Sequence, residues 1–255
     1  MRRPILENGF ENNILVPTLS PKIQRMLDKA VEFMSNTKDH SHGMEHINHL
    51  LRNANRFFKA TGDTFDIDKE ILLLALYWHD VWKSQNKPAP RNYLFQQLYE
   101  GWGSMLMFKK YAKVVGLPQQ MIRAVSYAIR KHSAVQLRPA KTLEAQLLWD
   151  MDMLDLWNVQ RVQSVFRNLK WINIPIFDSY ILYMQKIGVH FNFEWTKNEV
   201  KKRKPFFFEA MSQFRESLVN GNQKPETFLA QPKAVSASLY NFRSRQSLPN
   251  FDDKS

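Results

Sequence analysis

The sequence predicts an all-α chain, a helical bundle built around one strongly apolar helix. Three observations lead there. Only 8 glycines occur in 255 residues, and hairpin-type turn dipeptides are few, which argues against an all-β or a Rossmann architecture. Large apolar residues recur at spacings of three and four, as on the buried face of a helix. The run from Ile71 to Trp78 is apolar on every side, as a central helix wrapped by others should be.

The elements follow in order. Ile23, Leu27, Ala30, Val31 and Met34 mark the core face of a first helix, and Ile47, Leu50, Leu51, Ala54, Phe57 and Phe58 that of a second. The apolar run is the third. Leu106 to Val115 and Met121 to Ile129 suggest two more, separated by Gly116-Leu117-Pro118, a stop followed by a breaker. One long helix is expected from about Leu143 to Leu169. Ser179 to Ile187 follows, then a basic helical stretch from Lys197 to Val219 that Pro205 should divide. Asn220-Gly221-Asn222 is a stop signal. The expected organisation is an N-terminal extension over 1–19, a helical domain over 20–220 and a tail over 221–255. The tail has prolines and serines without sustained periodicity, so poor order is expected there.

Composition narrows the chemistry. A hydrophobic content of 44% with 18 phenylalanines supplies a core. The absence of cysteine excludes disulfides and thiolate sites, so a metal must be held by His, Asp, Glu and water. It also fits a reducing, cytoplasmic setting. The start, Met1 to Asn8, is basic but lacks the apolar stretch of a signal peptide. The longest apolar run is far short of the ~20 residues that cross a bilayer, so no membrane insertion is expected. A net charge of +12 favours anionic partners: nucleotides, nucleic acid or acidic membrane surfaces. Scattered lysines that merely keep the chain in solution explain it equally well. Lys201-Lys202-Arg203-Lys204 before Phe206-Phe207-Phe208 mixes charge with aromatics as nucleic-acid surfaces do. A solvated helix face backed by core phenylalanines is the simpler account.

Three distant segments carry metal-ligand chemistry. His42, His46 and His49 stand at i, i+4 and i+7, on one helix face. His79-Asp80 closes the apolar run, where an unpaired carboxylate would cost several kcal/mol; a cation, or Lys83 one turn on, must compensate it. In Asp150-Met151-Asp152-Met153-Leu154-Asp155, Asp152 and Asp155 share a face. Asp150 points elsewhere, at about 100° per residue, and is expected at a solvated helix edge.

The order His46, His79-Asp80, Asp152 over about a hundred helical residues resembles the HD superfamily of metal-dependent phosphohydrolases, in particular its small "predicted phosphohydrolase" members. Trp78-His79-Asp80-Val81-Trp82-Lys83 is similar to the family's His-Asp-aliphatic-Gly-Lys segment, Ile129 to Ser133 to a later helix end carrying a histidine, and Asp150 to Asp155 to its last motif. The resemblance covers roughly 20–220. It implies His46, His79, Asp80 and Asp152 as ligands of one divalent ion (Mn²⁺, Mg²⁺, Fe²⁺ or Co²⁺). It implies Asp80 and Lys83 as catalytic, Lys83 on a phosphate oxygen. His42, His132 and Asp155 are candidates for the substrate or a second metal. Trp82, His49 and Met153 depart from the pattern: Trp82 stands at a usual glycine, and the other two at usual arginines.

The implied reaction is hydrolysis of a phosphomonoester or phosphodiester, with nucleotides the implied substrate class, by attack of a metal-bound water. Two alternatives stay open, a di-iron oxygenase on the same fold and a non-catalytic basic protein binding nucleic acid.

Overall fold

The computed structural model describes residues 18–38, 42–86, 90–132, 139–168, 174–186 and 190–220. Among these the chain is all-α. The helices are α1 (Pro21–Ser35), α2 (Met44–Thr61), α3 (Lys69–Trp78), the single turn α4 (Val81–Ser84), α5 (Pro90–Val115), α6 (Gln119–Lys131), α7 (Leu143–Asp155), α8 (Val159–Asn168), α9 (Ile174–Lys186) and α10 (Glu194–Asn220). Most of the expected 1–19 extension and the whole 221–255 tail lie outside the described residues. The chain divides into two compact units, Met1–Ser212 and Gln213–Ser255. The second is described only over the last turns of α10; the packing below is that of the first. No helix among the described residues is long and apolar enough to cross a membrane.

Helix α3 is the axis. Asp68 caps it by accepting from the backbone N–H groups of Glu70 and Ile71. From Leu72 to Trp78 every side chain is buried, and the helix packs against α1, α2, α5, α6 and α7. Trp78 keeps its indole satisfied by donating to the Met26 carbonyl at 3.0 Å, and Phe33, Phe108 and Tyr111 ring its faces. The central helix therefore ends at a fixed depth in the core, and His79 and Asp80 form the turn between it and α4.

Three helices differ from expectation. α5 begins at Pro90, far upstream of Leu106. Gly101 and Gly103, poor helix formers, hid its first half. Both are there for close approach: a Cβ on Gly101 would stand 3.1 Å from the Arg130 carbonyl of α6, and one on Gly103 would stand 2.3 Å from Cγ of Trp82. The single helix expected from Leu143 to Leu169 is two, because Leu156 to Asn158 turn the chain between α7 and α8. Asn158 then caps α8, its Oδ1 accepting from the N–H groups of Gln160 and Arg161. Finally, α10 runs straight through Pro205. That proline and Lys201, whose carbonyl loses its partner, are both exposed, so water takes up the freed oxygen, while Phe207 and Met211 stay buried.

In the basic aromatic stretch of α10, Lys201, Lys202, Lys204 and Phe206 are exposed, Arg203 and Phe208 are half-buried and Phe207 is buried. Phe207 is core, Lys202 pairs with Glu199, and Arg203 donates to the Asn53 side chain and the Leu154 carbonyl.

The Gly103 contact gives a direct check. Gly103→Ala should lower stability by ~1–3 kcal/mol through overpacking against Trp82, and Trp82→Ala in the same chain should recover most of it. Thermal or urea unfolding of the two single variants and the double variant measures the coupling.

Candidate metal centre

Two histidines sit at helix C-termini in the same way. His79 closes α3 and donates from Nδ1 to the Leu76 carbonyl at 2.9 Å; His132 closes α6 and donates from Nδ1 to the Ile129 carbonyl. The last carbonyls of a helix have no partner within it, so each imidazole caps its own helix three residues back. The cap sets the tautomer: the proton is on Nδ1, and Nε2 offers a lone pair. His46, on α2, reaches the same state through a carboxylate, its Nδ1 lying 2.7 Å from Oδ2 of Asp155.

The three Nε2 atoms converge on two aspartates. His46 Nε2 lies 3.2 Å from His79 Nε2 and 3.3 Å from Asp152 Oδ1. Asp80 Oδ2 lies 3.3 Å from His79 Nε2 and 3.6 Å from His46 Nε2, and its Oδ1 is 3.4 Å from His132 Nε2. His42 Nε2 stands 3.7 Å from Asp80 Oδ2. The expected ligands His46, His79, Asp80 and Asp152 are thus brought together, with His132 and His42 beside them. His46, His79 and Asp152 form one group able to hold an ion, and His79, Asp80 and His132 a second that shares the same imidazole.

These groups fit a divalent cation on three counts. Two neutral imidazoles holding lone pairs 3.2 Å apart repel unless a cation or a proton lies between them. Around an octahedral ion with bonds of about 2.1 Å, neighbouring ligand atoms stand about 3 Å apart, close to the spacings here. His132 Nε2 is buried and completes no hydrogen bond among the described residues. Charge adds to this. Asp80, Asp152 and Asp155 are buried beside one guanidinium, Arg161, so with neutral imidazoles two negative charges lack compensation.

The pKa directions follow the same field. Burial would raise Asp80, but His79, His42 and His132 hold it well below the usual carboxylate range. Burial likewise opposes the ionised Asp152, where His46, His79 and Arg161 prevail and lower it. Asp155 is lowered against its burial by Arg161, then His46 and His49. Burial pushes His132 down, yet Asp80, with Glu100 and Asp152, lifts it to about 9. His46 is raised too: Asp152 and Asp155 outweigh its burial and Arg161.

Three expected roles change. Asp155 is not at a second metal position. It lies behind His46, where its Oδ2 accepts from His46 Nδ1 and from Arg161 Nη1 at 3.0 Å, and its Oδ1 faces His49 and Asn158 at 3.2 and 3.3 Å. Asp152 and Asp155, three apart on α7, therefore engage the two nitrogens of one imidazole. Lys83 does not reach Asp80 as its ion-pair partner; it is buried against Glu100, Nζ to Oε2 at 2.7 Å. Asp150 is not solvated. It is fully buried and accepts from the N–H groups of Asn192 and Phe193 just ahead of α10.

Sequence reasoning missed Arg161 and Glu100. In an unbroken helix Arg161 would lie six residues beyond Asp155, on the opposite face. The Asn158 cap was the signal for the break that folds it back. Met153, at a usual arginine of the resembled motif, is half-buried and makes no hydrogen bond from its side chain, whereas Arg161 supplies a guanidinium to the aspartates. No family model, curated protein or solved structure matches this chain.

Two checks follow. Asp155→Asn should weaken Mn²⁺ affinity ~10- to 100-fold, as loss of a ligand's hydrogen-bonded support does, measured by calorimetric titration against wild type. For the pH dependence, His132 rises from 6.5 unfolded to about 9 folded. Its proton stabilises the metal-free fold fully below pH 6.5, and that contribution is lost as pH rises through about 9. Melting temperature of the metal-free protein should fall across that window. Metal binding within it should release protons, visible as a buffer-dependent heat.

Proposed function

We propose that this chain is a metal-dependent hydrolase of phosphate esters, of the kind the HD superfamily contains. The observation that carries the reading is a buried cluster in which His46, His79 and Asp152 form one group able to hold an ion and His79, Asp80 and His132 another, with the Nδ1 protons of His46 and His79 turned away from it. A mixed nitrogen and oxygen set without thiolate suits Mn²⁺, Mg²⁺, Fe²⁺ or Co²⁺. Bound there, such an ion acidifies a water and polarises a phosphoryl oxygen.

The chain's own groups divide the remaining work. The Leu76 carbonyl holds His79 and Asp155 holds His46 in the ligating tautomer. Ionised Asp80 offers one oxygen toward His79 and the other toward His132. His132, which Asp80 lifts to about 9, holds a proton facing Asp80 Oδ1 while the centre carries no cation; with a cation bound, its Nε2 would be placed to take a proton from an attacking water. The apolar shell of α3 and its neighbours keeps bulk water out, which strengthens each of these interactions. The charge of +12 draws anionic substrates such as nucleotides toward the chain.

The test is phosphate release from a panel of nucleotides and an aryl phosphate with Mn²⁺, Mg²⁺, Co²⁺ and Ni²⁺ in turn. Wild type should turn over only with metal, and Asp80→Ala should lose at least ~10³-fold, the equivalent of several kcal/mol. Equal activity in the variant would sink the assignment. Tightly bound iron with oxygen consumption and no phosphate release would support the oxygenase alternative instead.

A further inference from the structure

Arg161 is a buried cation with an unused edge. Its guanidinium touches the centre through Nη1 alone, 3.0 Å from Asp155 Oδ2 and 3.6 Å from Asp152 Oδ1. Nε and Nη2 make no hydrogen bond among the described residues. These two nitrogens form the side-on fork of arginine, whose parallel N–H groups match two oxygens of a phosphate. Its side chain is 11% exposed. Buried Lys83 and half-buried Arg203 are engaged elsewhere, Lys83 by Glu100 and Arg203 by Asn53 and the Leu154 carbonyl.

We propose that the Nε–Nη2 edge of Arg161 binds the phosphoryl group of the substrate, and that the substrate is a phosphomonoester rather than a phosphodiester. This inference rests on the hydrolase reading above. Oxygen counting gives the class. A fork takes two non-bridging oxygens, and a bound ion would take a third. A monoester has three and carries up to two negative charges to meet the ion and the guanidinium, whereas a diester has two oxygens and one charge, so one oxygen would have to serve ion and fork together. The arginine is held for this task by Asp155, which also orients His46, so one carboxylate sets the distance between ion and clamp.

The test uses full-length protein loaded with Mn²⁺. Inorganic phosphate is titrated as a competitive inhibitor, and KM and kcat are measured for an aryl phosphomonoester and the matching diester. Wild type should bind phosphate and prefer the monoester. Arg161→Lys keeps a charge beside Asp155 but loses the fork; phosphate affinity should fall ~10- to 100-fold, KM for the monoester should rise in step, and Mn²⁺ affinity should hold. Phosphate affinity equal to wild type, or a wild type that prefers the diester, would overturn the inference while leaving the hydrolase reading standing. Should Arg161→Lys fail to fold, phenylglyoxal labelling of wild type, mapped by mass spectrometry, decides. Phosphate should protect Arg161, and equal labelling with and without it overturns the clamp. A wild type that neither binds Mn²⁺ nor hydrolyses either ester removes the hydrolase reading and this inference together.

Discussion

The centre depends on a capping interaction. Helices α3 and α6 are each closed by a histidine whose Nδ1–H turns back onto a last-turn carbonyl, Leu76 in α3 and, in α6, Ile129, which also accepts the His132 backbone N–H. An imidazole so tethered cannot point its proton at the centre. Because both caps lie in the core, the two Nε2 lone pairs are fixed to the ends of rigid, buried elements rather than carried on loops. Remove the caps and the same residues become two ordinary histidines with a choice of tautomer, and the case for a cation between them dissolves.

Around that pair the site is built by electrostatic subtraction. Three aspartates buried within a few ångströms of one another are tolerable only if something positive is shared among them. Arg161 supplies one charge and the histidines supply protons when nothing else is present, which is why His46 and His132 both shift upward. A divalent ion would do the same work without borrowing protons, and it would compete with them for the same atoms.

Much of this was legible from residue spacing. The all-apolar run had to be a central helix, and the carboxylate of a His-Asp pair at its end had to be compensated, as His42, His79 and His132 do. The i, i+3 spacing of Asp152 and Asp155 put both on one face, as α7 has them. What stayed hidden turned on breaks and glycines. The turn at Leu156 to Asn158 contains neither glycine nor proline, so periodicity ran across it and placed Arg161 on the wrong side. Gly101 and Gly103 diluted the pattern of α5, concealing Glu100 and with it the partner of Lys83. Asp150 was misread for a different reason. Its neighbour α10 comes from some forty residues away, and no local pattern shows that a distant backbone segment will cover a carboxylate.

The short turn between α7 and α8 has a consequence for how the centre assembles. Asp155 and Arg161 are six residues apart, whereas Asp155 and His46 are separated by 109. Closing a small loop costs far less chain entropy than closing a large one, and local contacts form early in folding. The ion pair between the acidic arm and its own guanidinium therefore needs no partner from α2 to close, whereas the imidazole is held only through the long loop.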